Sequence, residues 1–232
     1  RRPGSSIIAR GLGRSYGDTA VNGGGGVADT TRLNRMIAFD EETGVLECEA
    51  GASLAEILEV FVPRGYFVPV TPGTKFVTVG GAIANDVHGK NHHCDGTFCD
   101  FVDSFTLLLP GGDILNCSKT ENADVFWATA GGIGLTGIIL TARVRLQPVE
   151  SSWIVTDYTQ CRDLDHAMDA MAATDGAHKY SVAWVDCLAR GASLGRSVLM
   201  QGNHARLSQL DPARANSPFA LKRELPKSVP FN

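Results

Sequence analysis
Glycine constrains this chain more than any other residue, because it is concentrated where regular structure cannot use it. In "IARGLGRSYGDTAVNGGGG", residues 8–26, glycine stands at 11, 13, 17 and 23–26. Glycine takes positive φ at no steric cost and lets a ligand or another chain approach the backbone, but it weakens helices and strands. Exposed N–H groups in such a turn form a concave nest for anions, and diphosphate is its natural guest. The competing reading is a tight surface crossing in a β-rich domain, which glycine density alone does not exclude. The spacing is GxGxxxG followed by a polar return, not the GxGxxG turn into a helix that marks the dinucleotide fold. A nucleotide here depends on loop N–H groups and on Arg10 or Arg14, with no helix N-terminus behind it.

Two more stretches repeat the theme. "PGTKFVTVGGAIANDVHGKNHH" combines Gly73, Gly80, Gly81 and Gly89 with Thr74, Thr78 and Asn85, and "GGIGLTG" follows near residue 134. Three such loops in one domain point to a long, flat ligand threaded between strands. The net charge of -4 supplies no basic field for nucleic acid or an anionic membrane. The six cysteines form no CxxC pair and read as reduced thiols. His92, His93, Cys94 and Cys99 match no common metal-ligand spacing, so no metal is expected. No apolar run reaches the roughly 18–20 residues of a membrane span. Both ends read as cut, as in a piece of a longer protein.

The remaining pattern is mixed. Ser5 to Ala9 reads as a strand into the first loop, and "GGVADTTRLNRM" returns as a second. "TGVLECEAG" alternates like a half-buried strand, with Leu46, Cys48 and Ala50 on one face. Ser53 and Glu56 form a capping box for a helix carrying Leu54, Ile57, Leu58 and Phe61, which Pro63 to Gly65 stop. "FVPVTPGT" reads as a strand, the stretch from Val77 to Gly96 as a loop, and "DSFTLLLPGGDIL" as a hairpin. A short helix over Ala123 to Thr129 takes Asn122 as its cap, with Trp127 in the core. Leu140, Ala142, Val144 and Leu146 share the inner face of a strand that Pro148 ends. Strand, helix, strand, strand then follow (153–158, 164–173, 180–185, 196–201), a second unit from about residue 149, with Tyr180, Trp184 and Asp186 on one strand face and read as core.

The segments "IARGLGRSYGD", "TVGGAIANDVHG" and "DVFWATAGGIGLTGII" together resemble the vanillyl-alcohol-oxidase type of flavoenzymes. The resemblance implies an α+β fold: an FAD-binding domain of the PCMH type over 1–148, its N-terminus truncated, then part of an α+β substrate domain over 149–232. It implies that Ala9, Arg10, Gly11, Leu12, Gly13, Arg14, Ser15, Tyr16, Gly17, Asp18 and Thr19 line the FAD pyrophosphate. It places Gly73, Thr78, Val79, Gly80, Gly81, Asn85, Asp86, Val87 and His88 along the cofactor, with Ile139 from the later segment. Many relatives tie FAD covalently to a histidine of the first loop. Arg14 to Gly17 holds no histidine or cysteine, so FAD is expected to be non-covalent.

"GRSYGD" and "HGKNHH" narrow the resemblance to bacterial members that oxidise the 2′-hydroxyl of a polyprenyl-phosphoryl ribose for cell-wall arabinan. These work with a separate NAD(P)H-dependent short-chain reductase, in the cytoplasm or periplasm and near the membrane that holds the lipid. A sugar, alditol or aldonolactone oxidase of the same superfamily is the alternative, and a non-catalytic flavin-binding piece is another. His88 and Lys90 are the catalytic candidates. An imidazole beside a cofactor loop can donate, accept or titrate, or simply pack in a turn. Lys90 either meets a substrate phosphate or is a solvated surface lysine.

Overall fold
The computed structural model describes residues 6–220, so the Ser5 start of the first expected strand lies outside the described residues. The chain runs β1 (Ile7–Arg10), β2 (Gly26–Asp29), β3 (Met36–Asp40), β4 (Val45–Glu49), α1 (Leu54–Phe61), β5 (Tyr66–Phe67), α2 (Val79–Ala84) and α3 (His92–Asp95). It continues with β6 (Val102–Leu108), β7 (Ile114–Ser118), α4 (Ala123–Thr129), β8 (Ile138–Arg145) and β9 (Gln147–Pro148). The last elements are β10 (Ile154–Cys161), α5 (Leu164–Thr174), β11 (Tyr180–Val185), β12 (Ser197–His204) and α6 (Pro212–Ala215). The architecture is α+β. A five-stranded sheet, β3-β4-β8-β6-β7, and a three-stranded sheet, β10-β12-β11, are both antiparallel, whereas β1 and β2 form a separate parallel pair.

β4 lies between β3 and β8 and is buried on both faces, where the alternation had suggested one. Its inner face packs Leu46 and Cys48 into the main core with Ile57, Phe61, Phe98, Phe105 and Phe126. Burial pushes the Cys48 thiol up to about 12, so it is a packing group there and not a nucleophile. The other face carries Glu49, which is buried because Arg35 covers it: Nη2 donates to Oε1 at 2.7 Å, and the Arg35 amide donates to Oε2 at 2.8 Å. Those bonds hold the Glu49 carboxyl below its ordinary value.

α1 begins where its capping box requires: Glu56 N donates to Ser53 Oγ at 3.2 Å, and Ser53 N donates to Glu56 Oε2 at 2.8 Å. Gly65, at φ 84°, ends the turn that follows. Three expectations are corrected here. The "FVPVTPGT" strand shrinks to Tyr66–Phe67 paired with β9. Asn122 precedes α4 but makes no cap bond from its side chain, which donates instead to Asn116 O at 2.7 Å. In β8 a bulge falls at Leu140, whose carbonyl accepts from Ala50 N at 2.8 Å, so Ile139 and not Leu140 is buried.

Two tryptophans expected in the core are exposed. Trp127 is 51% exposed because Phe126 takes the inward position of α4 and stacks on Phe105 at 5.1 Å. Trp184 is 73% exposed although Tyr180, on the same face of β11, is buried. Phe67, Gln147 and His204 gather around the Tyr180 end, while the sheet's other face packs on α5 through Leu199, Cys161 and Ala167. Glu49→Gln is expected to lower stability at neutral pH. Because the folded-state carboxyl sits below its ordinary 4.5, that deficit should shrink as pH falls through and beneath 4.5. Denaturant midpoints at several pH values check this, and a deficit independent of pH would contradict it.

Candidate functional site
The first glycine stretch crosses between β1 and β2. Parallel neighbours usually need a helical crossover, but residues 11–25 make this one with no helix. Gly13 and Gly17 take φ 64° and 62°. Among the described residues, none of the amides from Gly11 to Gly17 has a hydrogen-bond partner, so the loop presents a row of unspent donors. The Arg10 guanidinium folds back over the loop, its Nη2 2.8 Å from where a Gly13 Cβ would stand. A side chain on Gly11 would overlap the Thr78 hydroxyl.

Thr78 begins the second stretch, and here a further correction enters. Residues 79–84 form α2 and 92–95 form α3, not loop. Thr78 Oγ1 accepts from Gly81 N at 3.2 Å, and the amides of Val79 and Gly80 donate to Ala52 O and Ala50 O at 2.8 and 2.7 Å. The first turn of α2 therefore spends its amides inside the protein, whereas those of Gly11 to Gly17 in the first loop have no partner among the described residues. Gly80 is required by this contact, since its Cβ would stand 2.9 Å from that of Ala50. At the other end of α2, Gly131 N donates to Ile83 O at 3.1 Å and Ile133 N to Ala84 O at 2.7 Å, which docks the third stretch.

The three stretches enclose one cleft of about 720 Å³. Its wall holds Ala9, Arg10, Gly11, Leu12, Gly13, Arg14, Ser15, Tyr16 and Thr19 from the first, and Gly73, Thr78, Gly80, Gly81, Asn85, Val87 and His88 from the second. Ile139 joins them from β8. Five expected residues lie outside the wall. Gly17 and Asp18 belong to the return of the loop, where Asp18 O accepts from Val21 N at 2.9 Å. Val79 is fully buried in the core. Asp86, at φ 39°, turns its carboxylate to Cys99 N at 3.0 Å. Lys90 donates its ammonium to Pro72 O at 3.3 Å, beside the wall residues Pro72 and Gly73. Sequence reasoning passed over Thr30, Ala50 and Val77, which only the fold brings to the cleft, and Ile133, Gly134 and Gly137, which glycine density had already marked as a segment.

His88 is held from behind. Gly89 lies against Thr71, leaving no room for a Cβ, and Lys90 N donates to Thr71 O at 3.0 Å. Asn91, fully buried, donates to Pro69 O and Asp95 Oδ2 at 2.7 Å each and accepts from Thr71 N at 3.2 Å. Asp95 pairs with Lys179 at 3.0 Å, and Lys179 also donates to Gln147 Oε1 at 2.6 Å. Ser181 N donates to Lys90 O at 2.8 Å, so the edge strand β11 is stitched directly behind His88. His93 and Cys94 serve the same seam: His93 Nε2 lies 2.8 Å from His178 O, and Cys94 Sγ reaches that carbonyl at 3.8 Å. Among the described residues no three histidine, cysteine, aspartate or glutamate side chains gather as metal ligands. Asn91→Ala strands buried partners on three sides and is expected to cost about 1–3 kcal/mol in denaturant unfolding. A loss below about 0.5 kcal/mol, the range of ordinary surface substitutions, would contradict the role given to Asn91.

Residues 1–118 of the 232 match the FAD binding domain family. Decaprenylphosphoryl-beta-D-ribose oxidase of Mycolicibacterium smegmatis is 42% identical over 226 residues, covering 94% of this chain and 49% of that protein. An uncharacterised protein of Streptomyces coelicolor is 41% identical over 75% of this chain and 47% of its own length. Mouse L-gulonolactone oxidase is 30% identical over 64% of this chain and 33% of its own length. The chain thus spans about half the length of the first two relatives. With the matched family covering half of the chain and the glycine stretches it contains forming one cleft, the chain belongs to the family of FAD binding domains.

Proposed function
We propose that this chain is the FAD-holding part of an oxidoreductase acting on a secondary alcohol of a lipid-linked sugar. The observation that carries the reading is that all three glycine stretches open onto one cleft. The residues fit FAD. The unspent amides of Gly11 to Gly17, with Arg10 and Arg14, suit a diphosphate. Gly80, Gly81 and Gly137 also line the cleft, whose volume of about 720 Å³ leaves room for a flat ring system. We assign cofactor contact to the cleft-lining residues above, and non-covalent binding, because Arg14, Ser15, Tyr16 and Gly17 include no histidine or cysteine to attack the flavin. The cofactor domain is taken as residues 1–148 and the substrate domain as starting at 149.

FAD supplies a two-electron acceptor for the carbinol hydride of the alcohol. The chain's own groups bind and orient. His88, in the cleft wall, receives or shares the proton of the hydroxyl being oxidised. Lys90 spends one of its three donors on Pro72 O, which leaves two for a substrate phosphate. The stitching of Asn91, Asp95 and Lys179 keeps both side chains in register with β11. The name of the mycobacterial relative supports decaprenylphosphoryl ribose or a similar polyprenyl-phosphoryl sugar as substrate, oxidised at the 2′-hydroxyl to the 2′-ketone. A separate NAD(P)H-dependent reductase would then complete an epimerisation that serves the bacterial envelope. Among the described residues no helix is long and apolar enough to cross a membrane. The lipid-linked substrate would bring the enzyme to a membrane surface, on its cytoplasmic or periplasmic side. The likeness to L-gulonolactone oxidase favours an aldonolactone or sugar oxidase as the second reading. Peroxide release with simple sugars would select it.

The test is the visible absorption spectrum of the purified protein before and after acid precipitation. Flavin bands that pass into the supernatant are expected. Bands that stay in the pellet would overturn non-covalent binding, and no flavin after reconstitution with FAD would overturn the assignment of the cleft.

A further inference from the structure
Three non-glycine residues among those described have positive φ: Asp86, Asn122 and Ile133, at 39°, 47° and 55°. Aspartate and asparagine tolerate this region, whereas a β-branched residue is a true outlier there. Ile133 stands between Gly131 and Gly134, which take φ 72° and 74° and pay no such penalty. Its backbone is fixed from outside. Ile133 N donates to Ala84 O and Gly131 N to Ile83 O, and a Cβ on Gly132 would overlap Ala128 O. The fold therefore demands a left-handed residue at 133, and glycine would satisfy it without strain.

What the isoleucine contributes is not burial in the core. Its side chain is 44% exposed, and it lines the cleft. A strained, half-exposed apolar side chain in a cavity wall has its missing contact in whatever fills the cavity. Its place narrows what that is. Gly11 meets α2 at Thr78, just before the helix, and Ile133 docks at Ala84, its last residue. The six residues between rise about 9 Å, roughly the reach of an extended ribityl chain counted from the phosphorus it is esterified to through to the ring nitrogen that carries it. A diphosphate at the first loop thus puts the isoalloxazine, not the ribityl chain, at Ile133.

We propose that Ile133 is a binding residue for the isoalloxazine of FAD, held in a strained backbone because its side chain packs against that ring. The inference rests on the cleft being the FAD site. Its test compares wild type, Ile133→Gly and Ile133→Ala in the same chain, each stripped of flavin and titrated with FAD. Ile133→Gly is expected to raise the apoprotein Tm by about 2–4 °C while weakening FAD about tenfold. Ile133→Ala keeps the Cβ and its strain, so it should weaken FAD similarly without raising Tm. Both should shift the visible absorption of the bound flavin. FAD affinity equal to wild type in both variants would overturn the inference while leaving the cleft assignment intact. Weaker binding with an unchanged flavin spectrum would move the contact to another part of FAD and overturn the choice of ring. A wild-type chain that binds no FAD would overturn both.

Discussion
The arrangement depends on the close approach between the start of α2 and two pieces of backbone, the Ala50–Ala52 turn after β4 and the first glycine loop. Val79 and Gly80 donate their amides to Ala52 and Ala50, and Gly11 lies against Thr78. Each contact works only because a side chain is missing or small. A six-residue helix has no stability of its own in water, so α2 exists because its amides are captured and Val79, Ala82 and Ile83 enter the core. Once placed, it organises the cleft, with the first loop at its N-terminal end and the third docked on its last carbonyls.

The same helix shows where the sequence is silent. "VGGAIA" carries two of the poorest helix formers short of proline and reads as loop, and only the fold supplies the partners that override that propensity. Elements with their own local signals were legible: the capping box of α1, the Pro110 to Gly112 turn of the hairpin, and the strand, helix, strand, strand order after residue 149. The bulge at Leu140 left no mark in the alternation because it is set by a carbonyl reaching Ala50.

The candidate site was legible as segments and less so as residues. Glycine density located all three walls, yet it could not tell Val77, which faces the cleft, from Val79, which faces the core. Asp86 and Lys90 carry chemistry that any sequence reading would select. The structure gives their polar atoms to Cys99 N and Pro72 O. The residues that hold His88 in place, Asn91, Asp95 and Lys179, come from separate parts of the chain, and Lys179 lies beyond the domain matched to the FAD-binding family. The seam between β11 and the His88 segment therefore ties the cleft to the strand unit that follows it.

The central claim is that three glycine stretches, far apart in sequence, form one FAD site. Amide hydrogen exchange with and without FAD tests it most directly. The structure predicts slowed exchange in residues 11–20, 78–88 and 131–139 together, at the same FAD concentration. Protection confined to one stretch, or appearing at separate concentrations, would contradict a single shared cleft.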